Sequence, residues 1–161
     1  MSDTTQLLER FRRGAEMVAA VTTGASSAEI DFAPSAGAWS IRQIVCHLSD
    51  SEIVGAHRFR LVIAESNATL TAFDQNAWSA NLNYKSRKLT EALDSFRLLR
   101  ALNFELLRTL PAEAYSRTGH HTERGTLSLL DLLRIYTEHA ESHTRQIQSV
   151  REQYRESRKG A

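Results

Sequence analysis

His139 and His143 stand four residues apart in the stretch Tyr136-Thr137-Glu138-His139-Ala140-Glu141-Ser142-His143. On a helix, that spacing sets two imidazoles side by side on successive turns. Neutral imidazole is a common ligand for zinc, nickel and related ions. At about 100° per residue, Leu129, Leu132, Leu133, Tyr136, Ala140, Ile147 and Val150 share the face that carries both histidines. The pair therefore points into a helix-packed interior. The same spacing also arises on helices by chance, with both rings merely packed, so a metal site needs a third ligand from another element. His47 is the best candidate: it sits two turns into a second helical run, at the edge of its apolar stripe. Taken alone, it reads as a boundary histidine.

The elements that must bring these residues together are helical. A first helix is expected over about Thr5 to Val21, with Leu7, Leu8, Phe11, Val18 and Val21 near helical spacing, followed by a loop over Thr22 to Gly37. Ser40-Ile41-Arg42-Gln43 is a capping box that opens a second helix reaching about Glu65, with Trp39 placed to staple onto its first turn. Its buried stripe holds Ile41, Ile44, Val45, Leu48, Gly55, Phe59 and Val62, and Glu52 falls inside it. A carboxylate on an apolar face should be paired, protonated or working. Asn67 to about Tyr84 reads as an irregular crossover or pocket wall carrying Phe73 and Trp78. A third helix over about Lys88 to Leu110 shows Leu89, Leu93, Phe96, Leu99, Leu102 or Asn103, Leu106 and Leu110 on one face. A loop with Tyr115, His120 and His121 follows, one of these histidines being a candidate for the site mouth. A fourth helix starts near Thr126 or Ser128, where Ser128-x-x-Asp131 is a second capping box.

This pattern predicts an all-α four-helix bundle in one domain, residues 1–150, with a charged, frayed tail over 151–161. The long connections leave room for an order other than simple up-down-up-down. A chain of 161 residues suits one core, and 42% apolar with 24% charged residues is ordinary for a soluble domain. A net charge of +1 provides no field for nucleic acid or an anionic membrane. The single cysteine, Cys46, reads as a small packed residue and fits a reducing compartment; the polar opening segment lacks an apolar signal core, so a cytoplasmic protein is expected.

Gly37-Ala38-Trp39-Ser40-Ile41-Arg42-Gln43-Ile44-Val45-Cys46-His47-Leu48-Ser49-Asp50-Ser51-Glu52 resembles the second helix of the DinB/YfiT-like family. The resemblance continues through Arg58 to Glu65, the aromatic loop around Phe73 and Trp78, the loop His121 to Leu127, and the closing H-x-x-x-H helix Glu138 to Ile147. It covers the second to fourth helices. It implies a metal-dependent four-helix bundle, with possible crossed-over topology and a homodimer. It also implies a metal held by His47, His139 and His143, for which zinc, nickel, iron and manganese all suit. Family members include transferases that use bacillithiol and isomerases that use mycothiol, in which the metal lowers the pKa of a low-molecular-weight thiol.

The chain departs from the family pattern at Glu52, a position that can hold a histidine, and at Cys46, where an adjacent histidine can occur. Glu52 could be a fourth ligand, a partner to a ligating ring or a general base. It lies nearly 140° around the helix from His47 at about 100° per residue, which favours a partner to a ligating ring or a pocket wall over joint ligation. Asp50, three residues after His47, is placed to hydrogen-bond the ring's other nitrogen or to face solvent. The expected activity is thiol transfer to a small electrophile, with Asp50 and Glu52 as orienting or proton-transfer groups. The alternatives are metal-dependent hydrolysis and a non-catalytic, metal-stabilised binding or dimerisation module.

Overall fold

The computed structural model describes residues 3–159. Its main helices are α1 (Asp3–Thr22), α3 (Ile41–Ala64), α5 (Leu89–Arg108) and α6 (Leu129–Lys159), with short helices α2 (Ser27–Asp31) and α4 (Gln75–Asn81) between them. Both expected capping boxes form. Ser40 Oγ accepts from Gln43 N while Gln43 Oε1 accepts from Ser40 N. Ser128 Oγ accepts from Asp131 N while Asp131 Oδ2 accepts from Ser128 N. Each box satisfies otherwise orphaned amides and so fixes the residue at which a histidine-bearing helix begins.

The four long helices form a ring in which α1 and α3 each pack mainly on α5 and α6. The diagonals are α1–α3 and α5–α6, while α3 and α5, consecutive in the chain, are neighbours. Cross-contacts give the directions. Arg10 meets Glu141 and Arg151 meets the carbonyl of Val21, so α1 and α6 run parallel. Asp50 meets Arg87 and Arg60 meets Asn103, so α3 and α5 run parallel. His47 meets His139 while Arg58, further along α3, meets Tyr136, earlier in α6; those two helices are antiparallel. The order is up-down-down-up, the crossed-over topology. Because α3 and α5 point the same way, the chain must climb back along about 36 Å of α3, at 1.5 Å per residue, between them. This explains the long connection over 65–88.

Three features differ from expectation. The stretches read as irregular contain a small sheet of order β1-β2-β3, with β1 (Ala68–Leu70) parallel to β2 (Thr118–His121) and β2 antiparallel to β3 (Gly125–Ser128). These strands are too short to carry a period-2 signal, and Gly125 closes their hairpin at φ 73°. Second, α5 buries Ala92, Phe96, Arg100, Asn103 and Leu107, whereas Leu98 and Leu102 are exposed. Polar residues occupy core positions there, which displaces the apolar stripe as read from sequence. Third, α6 continues through the charged segment to Lys159. Arg151 bonds Glu29 and the Tyr154 ring packs against Phe32, so the extension is anchored to the α1–α3 connection. Among the described residues, no helix is long and apolar enough to cross a membrane.

Candidate metal centre

The antiparallel pairing of α3 and α6 brings His47 opposite His139 and His143. His47 Nε2 lies 3.0 Å from His139 Nε2, and His143 Nε2 lies 3.0 Å from His139 Nε2. All three ligand atoms fall within 4.8 Å of one another. Trp39, just before the Ser40 cap, lays its ring 5.0 Å from the His47 ring and covers that side of the cluster.

These contacts pose a proton-counting problem. His143 Nδ1 sits 2.7 Å from Gln146 Oε1, an acceptor, so that ring carries its proton on Nδ1 and turns the Nε2 lone pair inward. Burial, followed by the neighbouring His143, pushes His47 down from 6.5 to about 3. Burial, then His143 and His47, pushes His139 to about 2, and burial also lowers His143. All three rings are neutral near pH 7. The Nε2 of His139 can donate at most one proton and faces two nitrogens at hydrogen-bond distance. The two contacts cannot both be well-formed hydrogen bonds, and a cation between the rings would satisfy all three nitrogens.

The spacing fits such a cation. At a metal–nitrogen distance of about 2.1 Å, ligand nitrogens lie about 3.0 Å apart at right angles and about 3.4 Å apart in a tetrahedron. Neutral imidazoles bearing inward lone pairs are the donor set for a borderline divalent metal. Among the described residues, this is the group of histidine, cysteine and carboxylate side chains gathered closely enough to hold an ion.

Residues 10–147 match the pattern of the DinB superfamily. The chain belongs to the DinB superfamily. Its DinB relatives include YfiT of Bacillus subtilis, a candidate metal-dependent hydrolase by name. That relative is 30% identical over 122 residues, which are 73% of this chain and 67% of YfiT. A similarly named protein of Oceanobacillus iheyensis is 29% identical over 122 residues, 76% of this chain and 70% of its own. A solved structure of Bacillus subtilis YfiT, described as a probable metal-dependent hydrolase with an unusual four-helix bundle topology, superposes with a TM-score of 0.86. It covers 93% of this chain and 87% of that one at 23% identity, a likeness of fold. This DinB bundle is thus a YfiT-type fold. The relatives' names and the imidazole cluster both point to metal dependence.

The two carboxylates expected near the cluster are bound elsewhere. Asp50 accepts from Tyr84 Oη at 2.8 Å and from Arg87 Nη1 at 2.8 and 2.9 Å, on the α5 side of α3. It does not reach His47 Nδ1, which is buried without a partner. Glu52 accepts from Arg100 Nη2 at 2.7 Å, Arg100 Nε at 3.1 Å and Asn103 Nδ2 at 3.0 Å. Glu52 therefore neither bonds a ligating ring nor lines the cavity, as its helix position suggested, but lies in the bundle core. Cys46 is fully buried, and burial raises its thiol pKa. His57 is exposed.

A cavity of about 220 Å³ adjoins the imidazoles. His47 and His139 form part of its wall, with Ser51, Arg58, Phe73 and His121 around them. The alternation of β2 selects between its two histidines: His121 turns inward and His120 outward. Sequence reasoning passed over Arg58 and Gln146. A polar residue three positions after His143 was the available sign for Gln146. An arginine at the buried edge of the second helix was the sign for Arg58.

Proposed function

We propose that His47, His139 and His143 hold one divalent metal, zinc or nickel by preference with iron or manganese also suited, and that the protein is a metal-dependent enzyme acting on a small electrophile. The observation that carries this reading is the meeting of three neutral Nε2 atoms at 3.0 Å steps beside a cavity. A divalent ion held by three protein ligands supplies Lewis acidity at an open position, where it lowers the pKa of a thiol or water.

The chain's own residues shape that chemistry. Gln146 fixes the tautomer of His143, and burial keeps all three rings unprotonated and ready to ligate. Asp50 and Glu52 are tied into ion pairs and are not available as bases. That favours a low-molecular-weight thiol as nucleophile, since a thiol ionises far more readily than water and needs less help from a carboxylate. Hydrolysis is the second reading. The relatives' names favour it, as does Glu123 on the cavity wall, a carboxylate without an ion-pair partner among the described residues. The adjoining cavity argues against a purely structural metal, whose coordination is closed. A homodimer is proposed from the family resemblance.

The test is elemental analysis of purified protein against a His47→Ala/His143→Ala double variant. About one equivalent of metal in the first and almost none in the second is the expected result. Metal-loaded protein is then offered electrophiles with and without a thiol: turnover only with thiol supports transfer, turnover without it supports hydrolysis. Equal metal content in both proteins overturns the site. A metal-loaded protein whose mass corresponds to a monomer removes the dimer.

A further inference from the structure

Two arginines of this bundle are buried to nine-tenths or more, and they differ in one respect. Arg100 has a carboxylate partner in Glu52. Arg58 has none among the described residues: Nη1 donates to Tyr136 Oη at 3.1 Å, Nη2 donates to the carbonyl of Thr71, and Nε is buried without a partner. Both of its partners are neutral. A buried cation held only by neutral acceptors is costly unless an anion joins it. Arg58 lines the same cavity as His47 and His139.

His121 faces that cavity with a defined proton. Its Nδ1 accepts from the amides of Glu123 at 3.2 Å and Arg124 at 3.3 Å. The ring's proton is therefore on Nε2. Burial, and then the charge of Arg58, lowers the His121 pKa, which keeps the ring a neutral donor. Arg124 and Glu123, both exposed, add one positive and one negative residue at the rim.

We propose that this cavity binds a substrate through a carboxylate, with Arg58 as the buried counter-charge and His121 Nε2–H as a neutral donor. The planar guanidinium matches a planar carboxylate. Sites for drug-sized ligands run about 300–1,000 Å³, so a cavity of about 220 Å³ suits a small acid. Anchoring there leaves the rest of the molecule on the wall formed by His47 and His139. The inference deepens the reading of a metal-dependent enzyme and rests on it for its meaning. Its test uses metal-free protein and stands apart from that reading.

The probe is propionate, with propionamide as its uncharged counterpart, titrated into chelator-treated protein at neutral pH and followed by NMR. Propionate should give saturable shifts in the Arg58 Nε resonance and in the amides of residues 121–124, and propionamide should not. Arg58→Gln should weaken propionate about tenfold or more, as loss of a charge-assisted hydrogen bond implies. His121→Gln, which leaves Arg58 and its contacts with Tyr136 in place, should weaken it several-fold. Arg60→Gln, on the exposed side of the same helix, should bind as wild type. Equal response to propionate and propionamide, no saturable response, or unchanged affinity in folded Arg58→Gln and His121→Gln would overturn the proposal. Propionate binding that persists in a His139→Ala variant lacking metal would separate this subsite from any failure of the metal centre.

Discussion

Arg100 Nη2 lies 2.7 Å from Glu52 Oε2, with both side chains only 1% exposed. The pair joins all four long helices. Arg100 also donates to the carbonyl of Phe11 on α1 and to that of Tyr136 on α6, and its guanidinium stacks 4.0 Å from the Phe11 ring centroid. Glu52 comes from α3, and Asn103 of α5 satisfies its second oxygen. The role of Glu52 is therefore to hold the crossed-over arrangement. Arg100→Met, which strands a buried carboxylate, should cost about 3–5 kcal/mol. Adding Glu52→Leu should recover much of that loss, since an apolar pair of similar volume often replaces a buried ion pair without penalty. Urea denaturation of the wild type and the two variants measures both effects; a double variant less stable than Arg100→Met would contradict the assignment.

Much of this arrangement was legible from local pattern. The two capping boxes marked where α3 and α6 begin, and helical periodicity put His139 and His143 on the packed face. What local pattern could not supply was the partner of a residue that points inward. Asp50 lies three residues from His47, which suggested a bond, but its partners Tyr84 and Arg87 arrive from the far end of the 65–88 connection. The packed face of α5 departs from its apolar stripe for the same reason. Arg100 looks like a surface residue, and Leu102 competes with Asn103 for the packed face, until Glu52 is known to sit opposite. The strands β1 and β2 pair across nearly fifty residues and contain too few residues to announce themselves.

Gln146 is placed to act on the proposed metal centre from outside it. Its Oε1 holds the proton of His143 on Nδ1. Gln146→Leu should lower metal affinity by about 10–100-fold while leaving the three imidazoles in place. His139→Ala, which removes the nitrogen shared by both 3.0 Å contacts, should abolish tight binding. His57→Ala, on the exposed face of α3, should change nothing. Competition against a chromophoric chelator ranks the variants, and an affinity for Gln146→Leu equal to wild type would remove that residue from the site.

Desolvation of the imidazoles also sets a pH dependence. His47 and His139 are pushed from 6.5 to about 3 and about 2, chiefly by burial. Between 6.5 and those values the unfolded chain holds more protons than the folded one, so folding stability falls as pH falls. The contribution is fully present above about pH 6.5 and is lost progressively as pH drops through the folded values. Metal-free protein should show a steady denaturation midpoint above neutrality and a declining one below about pH 6.5. A His47→Leu variant, with one ring fewer to protonate, should decline less steeply. Identical slopes in the two proteins would show that His47 is not held neutral.

Gly55 sets the distance between the two helices that carry the histidines. A Cβ at this position would lie 2.6 Å from Tyr136 Cε1 and 2.8 Å from its Cζ. The close approach lets the Tyr136 ring lie against α3 beside Phe59 of that helix, whose ring is 5.3 Å away, and accept from Arg58 through its hydroxyl. In a free helix, Gly→Ala stabilises by up to about 1 kcal/mol. Here the rigid ring reverses the sign, because relieving a contact under 3 Å requires moving Tyr136 or separating the helices. Gly55→Ala should destabilise by about 1–3 kcal/mol. It should also weaken metal binding, since His47 lies two turns away on the same helix and faces α6. Gly55→Ala in a Tyr136→Leu background should cost less, because the more flexible side chain can yield. Thermal denaturation and metal titration of the single and double variants test both effects, and a stabilised Gly55→Ala protein would show that the helices are free to move apart.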